Sequence, residues 1–206
     1  DYRGMESFDD DLWQLRQRGA PRMLPFDMFK PVIAKVHGNC LAGGTDIALM
    51  CDIVVASDDA KIGFPPTRSM GSPANHMWLY HAGPQWAKRM LFTGDSIRGR
   101  DAAKIGLVMK SVPAAKLDAE VQHLAKRIAS VQPDLLATHK RIVNLGMELM
   151  HARTLRRLAG EHDGRAHLSS AFAGFKNTFL NKGLKEALRE RDEPFGEGIA
   201  STDPEV

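Results

Sequence analysis

The sequence predicts an α/β domain with a partly parallel sheet, followed by a region made of helices. Between residues 31 and 57 the chain reads as strand, glycine-rich turn, helix and strand, which is a βαβ unit. From Leu117 onward the apolar residues recur at steps of three and four, as they do on one face of a helix. A chain of 206 residues, 43% of them hydrophobic, is long enough to bury the core of one such domain.

The first part of the chain supplies the predicted sheet. Residues 1–29 are expected to be helical, most clearly from Tyr2 to Gln17, and a proline-broken connection follows. The β-branched run PVIAKVHG predicts a buried strand, and GGTDIALMCD has the spacing of a helix. The segment IVVAS (53–57) is a second buried strand, and AKIGF is a shorter third strand stopped by two prolines.

The rest of the chain is predicted to be mainly helical. A helix runs from Pro84 to Phe92, RGRDAAKIG forms a short helix closed by Gly106, and LVMKSV returns as a strand. Two amphipathic helices follow, over residues 117–131 and 135–150.

These elements set the predicted domain boundaries. Residues 1–112 form the α/β core, and residues 113–195 form a C-terminal helical region suited to oligomerisation and to covering a binding site. The small and polar residues of GEGIASTDPEV predict a disordered tail over 196–206.

Charge patterning argues against two classes of partner. The net charge is +3, and the lysines and arginines are interspersed with acidic residues, so neither a nucleic-acid stripe nor a basic membrane-binding face is visible. The apolar runs are also too short to span a bilayer. We therefore expect neither a nucleic acid nor a membrane as a partner.

The two cysteines, Cys40 and Cys51, form no CxxC pair and no disulfide framework. They are expected to be small buried groups in a reducing compartment, which favours a cytoplasmic location. Five histidines could be considered for metal binding, but none has the spacing of a metal-binding motif such as HExxH. They are interpreted as surface or core residues, and no metal site is predicted. They are His37, His76, His81, His162 and His167.

The stretch GNCLAGGTDIALMCD, residues 38–52, contains the most informative loop. Its glycine spacing is that of a phosphate-binding P-loop, but Gly44 stands where the P-loop lysine would bind phosphates, so nucleotide hydrolysis is disfavoured. Ala42 and Gly43 carry little or no side chain, and a ligand can therefore approach their backbone closely. Free N–H groups at the start of the following helix would stabilise an anion.

Two longer segments carry a resemblance to a known family. KPVIAKVHGNCLAGGTDIALMCDIVVASDDAKIGF and RMLFTGDSIRGRDAAKIGLVMKSVP, between Lys30 and Pro113, resemble the enoyl-CoA hydratase/isomerase (crotonase) superfamily in several motifs that occur in the same order. The resemblance implies a crotonase-like ββα spiral core with a C-terminal helical region. It also implies a coenzyme A thioester as substrate, no permanently bound cofactor, and a homotrimer or a dimer of trimers.

The resemblance assigns roles to individual residues. Gly43 matches the glycine whose N–H is one of two donors to the thioester oxyanion, and Asp46 matches the first catalytic carboxylate. Asp46 falls in the first helical turn, where the helix dipole is expected to favour its ionised form. The neighbouring residues implied to contact the substrate are Asn39, Leu41, Ala42 and Gly44.

The sequence departs from the family pattern in two places. Pro66 occupies the position of the second hydratase carboxylate, so the PPTR segment resembles a branch that lacks the second catalytic glutamate. Thr67, Arg68 and Gly71 remain polar or close-approach candidates for substrate binding; Arg68 could pair with a substrate carboxylate or form a structural ion pair. Residues 1–29 do not resemble the strands and loop that supply the second oxyanion donor, and we expect the sequence to lack an N-terminal portion.

The activity predicted from these residues is hydration of a 2-enoyl-CoA. Double-bond isomerisation is the nearest alternative because it can proceed with a single carboxylate. A non-catalytic acyl-CoA-binding protein is the alternative from a different class, since the second carboxylate is missing at Pro66.

Overall fold

The computed structural model describes residues 7–203, and within that range it contains seven strands and ten α-helices. The strands are β1 (Ile33–Val36), β2 (Asn39–Leu41), β3 (Ile53–Ser57), β4 (Lys61–Gly63), β5 (Ser96–Arg98), β6 (Lys110–Val112) and β7 (Ile199–Ala200). The helices are α1 (Phe8–Gly19), α2 (Leu24–Asp27), α3 (Gly43–Ala48), α4 (Met77–Thr93), α5 (Gly99–Lys104), α6 (Leu117–Ala129), α7 (Pro133–Leu149), α8 (Ala152–Ala166), α9 (Ser170–Lys182) and α10 (Leu184–Asp192).

The strands form two small sheets that the chain visits alternately. The first has the order β1-β3-β6 and is parallel, and the second has the order β2-β4-β5-β7, with only β4 and β5 antiparallel among these pairs. The chain moves from β1 in one sheet to β2 in the other at a turn where Gly38 has φ of +60°. Repeating this step at β3 and β4 produces a spiral, and the prediction of a partly parallel sheet is confirmed.

The main core lies between the two sheets and the helices that follow them. Its fully buried members include Leu49 after α3, Ile62 of β4 and Trp78 of α4. Helix α5 packs so closely against β3 that a Cβ on Gly99 would lie 2.0 Å from the Ser57 carbonyl oxygen. Glycine is therefore required at that crossing.

Helix α4 is interrupted next to Pro84, the residue at which the sequence predicts the start of a helix. Gly83 has non-helical dihedral angles, with φ of +75° and ψ of 171°, so the helix consists of two segments. The second begins at Pro84, where the sequence predicts a helix start, and the first is an additional turn of helix before it. Gly94 ends the helix in the left-handed conformation typical of a C-terminal cap.

The N-terminal helix and the C-terminal region come together. Ser7 caps α1 by accepting a hydrogen bond from the Asp10 amide at 3.1 Å, and α1 packs against α8. The close approach is possible because Gly164 faces the ring of Phe8. The predicted helical region after residue 113 is observed as α6–α10, whereas the part of the predicted first helix over residues 1–6 lies outside the described residues.

The prediction of a disordered tail is wrong for residues 196–203. Ile199 and Ala200 form β7, which pairs in parallel with β5, and the Ser96 amide donates to the Gly198 carbonyl at 2.7 Å. The edge of β5 has backbone groups that need partners, and the tail supplies them. Residues 204–206 lie outside the described range. Among the helices of residues 7–203, none combines the length and apolar character that crossing a bilayer requires.

Candidate active site

A cavity of about 670 Å³ opens between α1, the start of α3 and α8. Of the residues that the sequence singles out, five line this cavity: Ala42, Gly43, Asp46, Pro66 and Gly71. The loop before α3 and the loop after β4 therefore meet at one site, because β2 and β4 are paired side by side and end at the same edge.

The backbone before α3 is held in an unusual conformation. Ala42 has φ of 52° and ψ of −120°, which is sparsely populated by residues other than glycine. Its N–H donates to the Gly63 carbonyl at 3.0 Å, and its carbonyl accepts from the amides of Thr45 and Asp46. The Gly43 N–H has no hydrogen-bond acceptor anywhere in residues 7–203. That amide is consequently available to a ligand in the cavity.

Asp46 is nearly removed from solvent, with only 3% of its surface exposed. Its Oδ2 accepts a hydrogen bond from Arg22 at 3.2 Å, while Oδ1 has no partner with hydrogen-bond geometry within the described range. The pKa of Asp46 is raised to about 6; burial is the main cause, Arg22 opposes the rise, and the nearby Asp163 carboxyl adds to it.

The direction of this pKa shift corrects a prediction. The sequence predicts an ionised Asp46 stabilised by the helix dipole, but α3 has only six residues and loss of solvation outweighs any dipole effect. Backbone amides of Ala74 and Asn75 lie close enough to oppose the rise in pKa without reversing it. The carboxyl group therefore titrates near neutral pH.

The PPTR segment forms a single 3-10 turn, Pro65–Arg68, that divides its residues between two environments. Pro66 faces the cavity, and its carbonyl accepts from the amides after the turn. Thr67 instead donates its hydroxyl to the Leu91 carbonyl at 2.7 Å. A 3-10 helix has three residues per turn, so neighbouring side chains point in different directions.

The contacts of Arg68 favour the structural ion pair over the substrate contact, the two interpretations that the sequence leaves open. Its side chain is 5% exposed and donates to Asp95 at 3.1 Å, Asp192 at 3.0 Å and the Thr93 carbonyl at 2.8 Å. The guanidinium also lies 4.1 Å from the centre of the Phe195 ring. The predicted substrate contacts through Thr67 and Arg68 are therefore not formed at this cavity, because both side chains are used to join the turn to α4 and α10.

Three other predicted contact residues also lie away from the cavity lining. Asn39 and Leu41 are part of β2 and pair with β4, and Asn39 is exposed to solvent. Gly44 packs toward the Cys40 sulfur, which would be 3.7 Å from an added Cβ. Strand pairing and helix packing thus turn these positions away from the site that their neighbours line.

Gly71 has a reason to be glycine that the sequence does not reveal. Its φ is +151°, and an added Cβ would lie 2.0 Å from Asp163 Oδ1. The same oxygen accepts the Ser72 amide at 2.7 Å. Gly71 therefore lets a carboxylate from α8 reach the cavity.

Sequence reasoning missed the contribution of α8. Asp163 lines the cavity, and burial raises its pKa above the usual range of a carboxyl group. His167, one turn later, has Nε2 3.9 Å from Asp163 and Nδ1 2.6 Å from Asp11 of α1. The i,i+4 spacing of Asp163 and His167 placed them on one helix face, but nothing in the sequence indicated what that face meets.

The cavity is also lined by more basic than acidic side chains. The lining acids are Asp46 and Asp163, whereas the lining arginines come from α1, the turn after it and α8: Arg16, Arg18, Arg22, Arg153, Arg156 and Arg157. Burial is the main cause that lowers the pKa of Arg156, the neighbouring Arg153 adds to it, and Asp27 opposes it. Such a cavity favours an anionic ligand.

The described residues hold no group of three or more histidine, cysteine or acidic side chains placed to bind a metal ion. Cys40 and Cys51 are buried free thiols, and burial raises the pKa of Cys40 to about 11. Cys40 is therefore protonated at neutral pH and packs as a small apolar group, as the sequence predicts.

Comparison with known proteins identifies the class. The fold closely matches a crystal structure of an enoyl-CoA hydratase from Mycobacterium smegmatis, with a TM-score of 0.90 and 37% identity over 95% of this chain and 67% of that one. An enoyl-CoA hydratase/isomerase from Xanthobacter autotrophicus Py2 gives a TM-score of 0.85 at 30% identity, covering 92% of this chain and 71% of that one. The α/β spiral core with its C-terminal helices is therefore a crotonase fold.

The sequence comparisons agree with this class. Residues 2–176 match the model of the enoyl-CoA hydratase/isomerase family, and the chain belongs to that family. A probable mitochondrial enoyl-CoA hydratase of Dictyostelium discoideum is 31% identical over 163 residues, which cover 74% of this chain and 59% of that protein. A crotonyl-CoA hydratase of Syntrophomonas wolfei is 38% identical over 126 residues, 59% of this chain and 48% of that protein. The chain thus spans about half the length of the curated relatives it matches.

Proposed function

We propose that this chain forms the acyl-thioester site of an enzyme that hydrates a 2-enoyl-CoA, with Gly43 as an oxyanion donor and Asp46 as an acid/base group. The observation that carries the proposal is that two suitable groups lie on one short helix, α3. The unpartnered Gly43 amide and the buried Asp46 carboxyl both line the same cavity. Membership of the enoyl-CoA hydratase/isomerase family supports a thioester as the ligand.

Hydration places negative charge on the thioester oxygen while water adds to the β-carbon. The Gly43 N–H would donate to that oxygen as the charge develops, and one such donor contributes about 3 to 4 kcal/mol of transition-state stabilisation. Asp46 in its ionised form would accept a proton from the attacking water. A pKa of about 6 suits this role because the group is ionised at neutral pH yet remains a stronger base than an ordinary aspartate.

The arginine-rich lining supports a coenzyme A ester in particular. Coenzyme A carries several phosphate charges, and guanidinium groups bind phosphates through paired hydrogen bonds. Arg16, Arg22 and Arg153 form ion pairs with acidic side chains. The other lining arginines, Arg18, Arg156 and Arg157, have no ion pair within the described residues, and a polyanionic ligand would neutralise their charge. No permanently bound cofactor is required, since the thioester itself supplies the electron sink.

Isomerisation of a 3-enoyl-CoA is the second candidate, and Pro66 is the observation that favours it. Proline stands in the cavity where the resemblance expects a second carboxylate. A single carboxyl can move a proton between two carbons of the acyl chain without activating water. The same substitution would suit an acyl-CoA-binding protein without activity.

Enoyl-thioester absorbance separates these possibilities. Wild type should remove the absorbance of crotonyl-CoA, and Asp46→Asn should lower kcat by about 1000-fold because Asn cannot accept the proton. Asp59→Asn is the matched control, since Asp59 lies at an exposed turn outside the cavity lining, and it should retain wild-type activity. A gain in absorbance with a 3-enoyl-CoA and none lost with crotonyl-CoA would indicate isomerisation. Binding of both esters without turnover would contradict the enzymatic proposal.

We also propose a homotrimer, or a dimer of trimers, in the cytoplasm. Five apolar residues of α7 are between 49% and 74% exposed, which is costly for a monomer in water: Leu135, Ile142, Val143, Leu145 and Leu149. Subunit contacts of the kind the family resemblance implies would cover them. Light scattering on the purified protein tests the assembly, and the free cysteines support a reducing compartment.

A further inference from the structure

We propose that Asp163 of α8 supplies the second carboxyl group of the site, acting with Asp46 on one water molecule in place of the residue absent at Pro66. The inference rests on the proposed hydratase function. It changes the origin of the second acid/base group, which would come from the C-terminal helical region rather than from the loop after β4.

The first argument is the composition of the cavity. Asp46 and Asp163 are its acidic lining residues, and they belong to two different elements, α3 and α8. Asp46 is 3% exposed, and the Asp163 side chain is 14% exposed. Two buried carboxyl groups that share one cavity require hydrogen-bond partners or a shared proton.

The second argument is that these groups are not satisfied by the described protein atoms. Asp46 Oδ1 is buried without a partner, and the hydroxyl of Ser72, beside Asp163, is buried without one as well. Asp163 Oδ1 accepts the Ser72 amide at 2.7 Å, which places the carboxyl group beside that unpaired hydroxyl. Buried polar atoms of this kind are normally paired with protein or ordered water. A water molecule between the two carboxyl groups would supply the missing partners.

The third argument is that the backbone is shaped to admit Asp163. A Cβ at Gly71 would lie 2.0 Å from Asp163 Oδ1, so any other residue would push the carboxyl group away. The Ser72 amide then fixes the oxygen that has entered. The loop after β4 therefore provides the space for a carboxylate from α8 and the hydrogen bond that holds it.

The fourth argument concerns the groups that hold Asp163 in place. His167 Nε2 lies 3.9 Å from Asp163 Oδ1, and Asp11 of α1 contacts His167 Nδ1 at 2.6 Å. The His167 ring also stacks on Phe172 with ring centres 4.4 Å apart. His167 also lines the cavity, and its contact with Asp163 assigns it a positioning role in this proposal.

The pKa of each of the two carboxyl groups is raised, and burial is the main cause for both. Burial raises the pKa of Asp163, and Asp11 of α1 adds to that rise, whereas the Ser72 amide, His167 of α8 and Arg22 after α1 oppose it. Asp46 also has a raised pKa, to which Asp163 contributes. Two interacting carboxyl groups titrate as a pair and can hold one proton between them near neutral pH.

Together, Asp46 and Asp163 can account for both proton transfers of the hydration reaction. Ionised Asp46 takes a proton from water as the water oxygen bonds to the β-carbon, and the carbon–carbon double bond becomes the enolate. Protonated Asp163 then donates its proton to the α-carbon. The product has gained one water, Asp46 ends protonated and Asp163 ionised, and proton exchange with solvent restores both groups. No reactant other than water and the enoyl thioester is consumed.

The test compares Asp163→Asn with Glu161→Gln, a matched change on the same helix at an exposed ion pair. With crotonyl-CoA, Asp163→Asn should lower kcat by about 100-fold, while the Kd for acetyl-CoA, measured by calorimetry, changes less than about two-fold. Glu161→Gln should keep wild-type kcat. Asp163→Glu should recover part of the activity, and the pH profile of Asp163→Asn should lose the limb that reports the acid form.

Each alternative result overturns something definite. If Asp163→Asn folds and keeps wild-type kcat while Asp46→Asn is inactive, the Asp163 proposal fails and the hydratase proposal stands. If wild type binds enoyl-CoA esters but hydrates none of them, both fail. If Asp163→Asn does not fold, His167→Gln replaces it in the test: the acid limb of the kcat profile should shift, and an unchanged profile would contradict the proposal.

Discussion

Two regions of the molecule bury a charged side chain, and they treat it in opposite ways. The Arg68 network consists of Arg68, Asp95, Asp192 and Phe195, and each nitrogen of the guanidinium donates a hydrogen bond. The site around Asp46 leaves one carboxyl oxygen without a partner and the neighbouring Gly43 amide without an acceptor, within the range that the structure describes. The buried fractions are nearly equal, since the side chains are 5% and 3% exposed.

Burial alone therefore does not distinguish a structural charge from a functional one. A buried charge whose partners are complete adds rigidity and joins elements of the fold, here the turn after β4 with α4 and α10. A buried charge whose partners are incomplete raises the energy of the folded state unless a ligand, water or proton completes it. A carboxyl pKa that is raised by burial accompanies the second case, as it does at Asp46.

Replacing Arg68 by alanine should have the largest effect on stability. The change removes three hydrogen bonds and leaves two partly buried acids with fewer partners, so the free energy of unfolding should fall by about 3 to 5 kcal/mol. Chemical denaturation monitored by circular dichroism measures this loss. Arg89→Ala is the matched control at the edge of the same network, where the side chain is 38% exposed, and it should cost about 1 kcal/mol or less.

The kinetic readout of the same variant separates the two interpretations of Arg68. If Arg68 bound a substrate carboxylate, Arg68→Ala would raise KM and leave the midpoint of unfolding unchanged. A structural role instead predicts a lower midpoint of unfolding and an unchanged KM for the protein that remains folded. An unchanged midpoint would break the comparison between the two regions.

The pH dependence of stability should have opposite signs in the two regions. The pKa of Asp46 rises from 3.8 to about 6 on folding, so its ionisation destabilises the folded state as pH rises through this window. Asp46→Asn should therefore be more stable than wild type above pH 6, by up to about 3 kcal/mol, and the difference should vanish below about pH 4. Arg22 loses its partner in this variant, but it is one-third exposed and can be solvated.

Asp192 provides the contrasting case in the Arg68 network. Burial raises the pKa of Asp192, but hydrogen bonds and charge from Arg191 and Arg68 outweigh burial and hold that pKa below the usual value. Its stabilising contribution is therefore present above the unfolded-state pKa and is lost as pH falls through the folded-state pKa. Asp192→Asn should destabilise the protein at neutral pH and have less effect in acid. Chemical denaturation at steps of about one pH unit between about pH 3 and about pH 8 measures this difference. If Asp46→Asn and Asp192→Asn changed the stability at neutral pH in the same direction, the contrast between the two regions would be wrong.

The sequence predicted the parts of the molecule that depend on local pattern. The strands around the glycine-rich loop, α3 and the proximity of Gly43 to Asp46 follow from hydrophobic periodicity and from spacing along a few residues. The PPTR segment marked the loop after β4 as unusual, and Pro66 does face the cavity. The family resemblance could be recognised because these motifs are contiguous.

What the sequence could not predict depends on long-range packing. The direction of the Arg68 side chain is set by Asp95 after α4, by Asp192 of α10 and by Phe195. The tail that follows forms β7 against β5 instead of remaining disordered. The position of Asp163 in the cavity lining depends on the packing of α8 against α1. The pKa of Asp46 follows from how completely these elements bury it, and burial is a property of the assembled fold.

The smallest effect we predict concerns backbone conformation, which also differs between the two regions. Beside the Arg68 network the positive φ of 67° falls on Gly94, whereas before α3 the positive φ of 52° falls on Ala42. A non-glycine residue in such a conformation costs about 1 to 3 kcal/mol and persists where the surroundings impose it, often at functional sites. The site thus holds strain that the network avoids.

Exchanging the residue types at these two positions should reveal that difference. Ala42→Gly should stabilise the protein by up to about 1 kcal/mol, since relief of strain exceeds the added entropy of the unfolded chain, and it should lower kcat/KM a few-fold because the Gly43 amide is held less firmly. Gly94→Ala should destabilise by about 1 to 2 kcal/mol, as its Cβ would also approach Arg68 Cγ at 2.9 Å. Thermal unfolding and initial rates measure both. If Ala42→Gly lost stability as Gly94→Ala does, the loop before α3 would be unstrained, and its fixed amide would need another explanation.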